Sequence, residues 1–224
     1  MRIRRLVTSS LVLGVAVVGA ACEPQPPPPP PSPLVCAVPD PGPLSAVAVM
    51  GPCSELTVDQ IVGWWNAQSR PTYRATVPID QLAAVYVEEG YAEGVRGDIA
   101  FAQAVIETGW FSFSGRVPPD ANNFAGIGAT DGTADYAVFA DARIGVRAHI
   151  QHLRAYADAT ATSCAVPPLH NPCVDPRFHL VAPKGKAATW NQFGNGIWAT
   201  DPSYASKVVG LYQKMLNHNG LYFS

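Results

Sequence analysis

Charge is scarce in this chain. Only 14% of its 224 residues are Asp, Glu, Lys or Arg, against about a quarter in an ordinary soluble domain. The formal net charge of -2 supplies no basic field, so nucleic acid is not an expected partner. No cluster of Cys and His has the spacing of a zinc site, so neither a metal nor another cofactor is expected. No self-similar unit of about 20 to 50 residues recurs, which excludes solenoids and propellers. The N-terminal apolar run, Leu6 to Val18, is too short for a comfortable membrane span.

What stands at the N-terminus reads as an export signal. Arg2, Arg4 and Arg5 precede that apolar run, and Gly19-Ala20-Ala21 follows it with the small residues a signal peptidase needs. Cleavage after residue 21 removes three arginines from a net charge of -2 and leaves -5. Cys22 then sits where bacterial lipoproteins are acylated. The position three residues before it, usually Leu, is Gly19. Lipid anchoring through Cys22 to the outer face of the cytoplasmic membrane and plain secretion into the cell wall or medium are both open. Export favours disulfides. Cys22 apart, four cysteines remain, and Cys36-Cys53 with Cys164-Cys173 is the simplest of three pairings.

Three segments follow: a signal peptide at 1-21, a proline-rich linker at 22-43 and a domain at 44-224. Pro26 to Pro31 is an unbroken proline run, a stiff polyproline spacer. Within the domain, helical patterns cover Thr57 to Gln68, Asp80 to Gly94, Asp98 to Gly109, Asp141 to about Ala159, and Ser203 to His218. Thr57, Asp98 and Asp141 are the expected caps. Trp64 and Trp65 read as core, His149 and His152 as structural, and Glu88-Glu89 as a solvated face with a supporting contact to the site. Residues 111-140 and 160-202 lack helical period.

The chemistry points to Glu107. It is the only charged residue between Asp98 and Arg116, and it sits at a helix C-terminus among Ile106, Trp110, Phe111 and Phe113. Desolvation and the negative end of the helix dipole both disfavour its anion. A carboxyl kept protonated near neutral pH is a candidate general acid.

Several blocks then resemble, in order, the bacterial glucosaminidases of glycoside hydrolase family 73. Ala102-Gln103-Ala104-Val105-Ile106-Glu107-Thr108-Gly109-Trp110 is similar to that family's AQAxxETGW signature, and Asn122-Asn123-Phe124-Ala125-Gly126-Ile127 to its NNxxGI segment. Phe139 with Gly145 to Leu153, Asn171 to Phe178, and Trp198 to Ala205 resemble later blocks, for coverage from about Leu82 to Leu216. The resemblance implies a mainly α, lysozyme-like helical domain with a small loop-rich or β-containing lobe flanking a cleft. It implies hydrolysis of the β-1,4 bond after N-acetylglucosamine in peptidoglycan, with Glu107 as acid and Tyr204 as a site hydroxyl; a monomer is expected. Trp110, Asn122, Asn123 and Phe124 would line the sugar groove. Many relatives carry a second Glu some thirty residues downstream, but no Glu occurs from Arg116 to Gln151, leaving Asp131 and Asp135 as the acids on offer; substrate assistance and an inverting route with a water held by Asp131 or Asp135 are both open. A wall-binding protein without turnover and a lytic transglycosylase are the competing readings.

Overall fold

Thr57 opens the first helix of the structure, a computed structural model that describes residues 35-129, 135-164 and 169-224. The signal sequence, Cys22, the proline run and Asp131 lie outside the described residues. Helix α1 (Val58–Asn66) begins with a reciprocal cap. Thr57 Oγ1 accepts from the Gln60 amide at 3.1 Å, and Gln60 Oε1 accepts from the Thr57 amide at 2.9 Å. Helix α2 (Ile79–Glu93) ends on Gly94 at φ 68, a left-handed stop that glycine adopts without steric cost. Helix α3 (Gly97–Glu107) follows at once, then α4 (Ala142–Ala157), with Asp141 accepting from the Ile144 amide, and α5 (Tyr204–His218).

The described part of the chain is mainly helical. Its strand-like pairing is limited to isolated bridges, such as Met50 with Val95 and Ala48 with Thr189. Helix α2 packs against α1, α3 and α4, and α3 packs against α5. Glycine permits the closest crossing. A Cβ on Gly97 would lie 2.2 Å from the Tyr86 carbonyl oxygen, so only hydrogen at this position lets α3 meet α2. Trp64 and Trp65 are 1% exposed, as core residues should be. Trp110 stacks on Trp64 with centroids 5.7 Å apart.

Three local expectations are corrected. Asp98 is not the cap of α3. The helix starts two residues earlier, with Arg96 in the cap position, and the Asp98 carboxylate is fully buried. It accepts from the Glu55 amide at 2.8 Å, the Leu56 amide at 3.1 Å and the Tyr212 hydroxyl at 2.7 Å. A buried carboxylate needs all its lone pairs occupied, and here they fasten the segment before α1 to α3 and α5. Glu89, expected on a solvated face, is 3% exposed. It receives Arg143 Nη1 at 2.9 Å and Arg147 Nε at 2.8 Å from α4, and Asn171 Nδ2 at 3.2 Å. Two guanidinium groups one turn apart on α4 draw this carboxylate into the α2–α4 interface. His152, expected to be purely structural, also reaches the cleft described below.

The two irregular stretches are fixed by side chains rather than by ladders. Glu93 pairs with Arg154 Nη1 at 2.9 Å and accepts the amides of His170 at 3.0 Å and Asn171 at 2.9 Å, tying the second stretch to α2. The disulfides Cys36–Cys53 and Cys164–Cys173 are both formed. The first, with the Asp40 amide held by Glu55 at 2.8 Å, fastens residues 36-40 onto the domain.

Candidate active site

Helix α3 delivers Glu107 to the floor of a cleft of about 800 Å³. The chain leaves the helix there through a strained turn. Gly109 (φ 57) is followed by Trp110, Phe111 and Phe113 at φ 63, 51 and 50. Each left-handed non-glycine residue costs about 1 to 3 kcal/mol. Burial of Phe111 and Phe113 and the stack of Trp110 on Trp64 hold them there. Such strain clusters at sites where a side chain must be aimed.

One oxygen of Glu107 is fully engaged. Oε1 accepts from Trp198 Nε1 at 2.7 Å and from the Tyr204 hydroxyl in a short hydrogen bond. Oε2 takes no hydrogen bond from any described residue. It lies on the side of Gly126, where an added Cβ would stand 3.9 Å from it. Burial pushes the carboxyl above its usual range, against the two hydrogen bonds that favour the anion. Glu107 therefore holds a proton longer than an exposed Glu, and its unoccupied oxygen is the one available to give it away.

Behind Tyr204 runs a chain of donors that all point one way. Gln103 Nε2 donates to the Tyr204 oxygen at 2.7 Å, and Gln103 Oε1 faces His149 Nε2 at 2.8 Å. The amide orientation assigns the proton to His149 Nε2. Nδ1, 3.0 Å from the Tyr86 oxygen, then accepts from that hydroxyl. Complete burial lowers His149 to about 3, so the ring is neutral and contributes a dipole rather than a charge. Tyr86, His149, Gln103 and Tyr204 thus align four donors toward Glu107 Oε1. They steady the carboxylate that remains once its proton has left.

The small lobe is shaped by Asn123. Its Nδ2 donates to the carbonyls of Ile127 at 2.8 Å and Ala137 at 3.0 Å, and its Oδ1 accepts the Ile127 amide at 2.9 Å. It lines the cleft and holds the glycine-rich loop opposite Glu107. The other groove residues expected from sequence lie elsewhere. Phe124 is 1% exposed inside the core, against Phe111 and Phe113. Asn122 joins the segment before α2 to the segment before α4, accepting from Thr76 and donating to the Phe139 carbonyl at 3.2 Å. Trp110 is spent on Trp64 and Trp65. Asp135 is exposed and is not among the residues lining the cleft. The structure therefore brings Glu107, Tyr204 and Asn123 together and leaves the other described candidates outside.

Sequence reasoning missed Trp198, Gln103, Tyr156 and the His152–Asp175 pair. One signal was available for Gln103, since four residues before Glu107 is the same helix face. Nothing in the pattern around Trp198 marks it as a partner for a side chain 91 positions away. Among the described residues no three His, Cys, Asp or Glu side chains converge as a metal site.

A helical domain with a buried carboxyl raised above its usual range in a partly polar cleft fits the glycan-cleaving enzymes. The family comparison falls in that class. The family model described as mannosyl-glycoprotein endo-beta-N-acetylglucosaminidase matches residues 83–217, and the chain belongs to this glucosaminidase family. An uncharacterized protein of Borreliella burgdorferi is 37% identical over 141 residues, covering 63% of this chain and 65% of the relative. The chain thus spans just under two thirds of that relative's length. No solved structure matches it.

Proposed function

We propose that this protein is an exported peptidoglycan hydrolase that cleaves the β-1,4 bond after N-acetylglucosamine, with Glu107 as general acid. The observation that carries this reading is the asymmetry of the Glu107 carboxyl: one oxygen is held by Tyr204 and Trp198, the other is left to the cleft, and burial favours the proton. A sugar alkoxide is a poor leaving group, and protonation of the glycosidic oxygen by Glu107 Oε2 makes it an alcohol. The charge left on Glu107 is met by the Tyr204 hydroxyl and the Trp198 indole N–H.

Glu107 is the one carboxylate among the described residues that line the cleft. A route consistent with one protein carboxyl is substrate assistance, in which the N-acetyl oxygen attacks the anomeric carbon as the glycosidic bond breaks. Water then opens the bicyclic intermediate at the same carbon and gives its proton to the Glu107 carboxylate, restoring the acid. The paired disulfides fit an oxidising compartment outside the cytoplasm, as do the export signal read at 1-21 and the linker read at 22-43.

Purified cell wall provides the test. Reducing-end release by the wild-type protein, lost on Glu107→Gln, is the expected outcome, and equal release by both proteins refutes the assignment. Mass spectrometry of the fragments reads the bond. New N-acetylglucosamine reducing ends support hydrolysis, whereas anhydro-muramic ends assign the same carboxyl to a lytic transglycosylase. Wall binding with no fragments at all leaves a glycan-binding protein.

A further inference from the structure

We propose that Arg177 and His152, both fixed by the buried Asp175, form a carboxylate-binding subsite in the cleft. The inference rests on the glycosidase reading above and assigns the residues of the same cleft that hold an acid group of the peptidoglycan strand.

The first ground is charge. The described lining residues hold a single acid, Glu107, beside Arg116, Arg177 and His152. In a chain of net charge -2, the described lining residues have the opposite bias. Neutral sugars are held by hydroxyl contacts and ring stacking, and need no guanidinium.

The second ground is construction. Asp175 has a fully buried side chain. Its Oδ2 holds His152 Nδ1 at 2.7 Å, and its Oδ1 accepts the backbone amide of Arg177 at 2.8 Å. One carboxylate therefore fixes both residues at the cleft. Its charge is used by the His152 ring and a backbone amide, while the half-exposed Arg177 guanidinium makes no hydrogen bond to any described residue. Arg116, by contrast, is already engaged. The segment that carries Arg177 is itself clamped. Gln151 Oε1 accepts the Val174 amide at 2.9 Å, and Gln151 Nε2 donates to the Pro172 carbonyl at 3.1 Å. The Cys164–Cys173 disulfide closes it from the other side. The neighbouring lining residue Tyr156 carries Lys186 over its ring at 4.7 Å, adding a further cation near the same wall.

The third ground is position. Trp198 donates to Glu107, and its ring lies 5.3 Å from His152 and 5.4 Å from Tyr156. His152, which shares the Asp175 carboxylate with the Arg177 backbone amide, is thus one indole away from the acid. A guanidinium fork matches a carboxylate with two parallel hydrogen bonds. On a peptidoglycan strand that carboxylate is either the lactyl group of an unsubstituted muramic acid or an acid of its attached peptide.

The experiment measures binding by calorimetry in the Glu107→Gln protein, so that it does not depend on turnover. Three ligands are titrated: uncharged N-acetylglucosamine oligomers, peptide-free glycan fragments with a free lactyl carboxylate, and peptide-bearing fragments. The parent is expected to prefer one or both acid-bearing ligands. Adding Arg177→Ala should weaken the preferred one by about ten- to a hundredfold, the range for a hydrogen bond to a charged group, and change the uncharged oligomer less than about twofold. Arg177→Lys should recover part of the loss. Loss on peptide-free fragments assigns the lactyl carboxylate, and loss on peptide-bearing fragments alone assigns the peptide. No preference for acid-bearing ligand, no effect of Arg177→Ala, or equal weakening of all three overturns the proposal. Absence of wall cleavage by the wild type would instead overturn the hydrolase reading and leave this titration decisive on its own terms.

Discussion

Replacing Tyr204 by Phe removes one hydroxyl and leaves the ring. In the native site that hydroxyl donates to Glu107 Oε1 and receives Gln103 Nε2 at 2.7 Å. Its bond to the carboxyl favours the anion, in opposition to burial. Without it only Trp198 Nε1 remains to balance desolvation. The carboxylate formed when the proton leaves loses a charge-assisted hydrogen bond worth about 1.5 to 3 kcal/mol. At about 1.4 kcal/mol per factor of ten, kcat should fall roughly ten- to a hundredfold. The direction of the pH effect is fixed by the same bond. Glu107 must be protonated to act, so activity declines as pH rises through its pKa. Tyr204→Phe raises that pKa further, and the alkaline limb of the pH–rate profile should move to higher pH. Gln103 Nε2 is left without its acceptor in the core, costing about 1 to 3 kcal/mol of stability, visible as a lowered urea midpoint. The assay is reducing-end release from cell wall across pH, on protein shown to be folded by circular dichroism. An alkaline limb that stays put or moves down, in a folded variant, refutes the idea that Tyr204 stabilises the Glu107 anion. Gln103→Leu should move the limb the same way by less, because it only weakens the polarisation of Tyr204.

Glu107→Gln should abolish wall cleavage and yet stabilise the fold at neutral pH. A carboxyl whose folded pKa is raised binds its proton more tightly in the native state, so stability falls as pH rises through that window and the cost persists above it. A higher melting temperature for the variant at pH 7, vanishing near pH 4, is the result to look for in calorimetry. Glu89→Gln breaks the buried contacts to Arg143 and Arg147 and should cost about 3 kcal/mol by urea titration, the lower end for a broken buried pair because Arg147 is part-exposed. Gly97→Ala places a methyl group 2.2 Å from the Tyr86 carbonyl oxygen. Backbone cannot yield as a side chain can, and about 3 kcal/mol or more of destabilisation is expected, with Gly115→Ala, where nothing lies within 4 Å, as a control near zero.

The sequence by itself determined the local events. Thr57 and Asp141 cap their helices because the signal is a side chain three residues from its amide. Gly94 ends α2 because only glycine takes a left-handed stop without cost. Glu107 stood out because a lone charge among apolar neighbours at a helix end is visible along the chain. Its raised pKa was legible for that reason, although the side chains that hold the carboxyl proved to be Trp198 and Tyr204 rather than the adjacent aromatics.

Tertiary structure decided everything that needs two distant segments. Asp98 has the composition of a cap, but buried amides at 55 and 56 and the Tyr212 hydroxyl claimed its oxygens. Phe124 and Trp110 have the chemistry of sugar platforms, but Phe124 is buried in the core and the half-buried Trp110 stacks on Trp64, because aromatic area is worth more buried than exposed. Asp175 fixes His152 from 23 residues away, and Trp198 meets Glu107 from 91. Such contacts are set by how α3, α4 and α5 pack, and helical periodicity carries no record of which distant side chain will face a given oxygen.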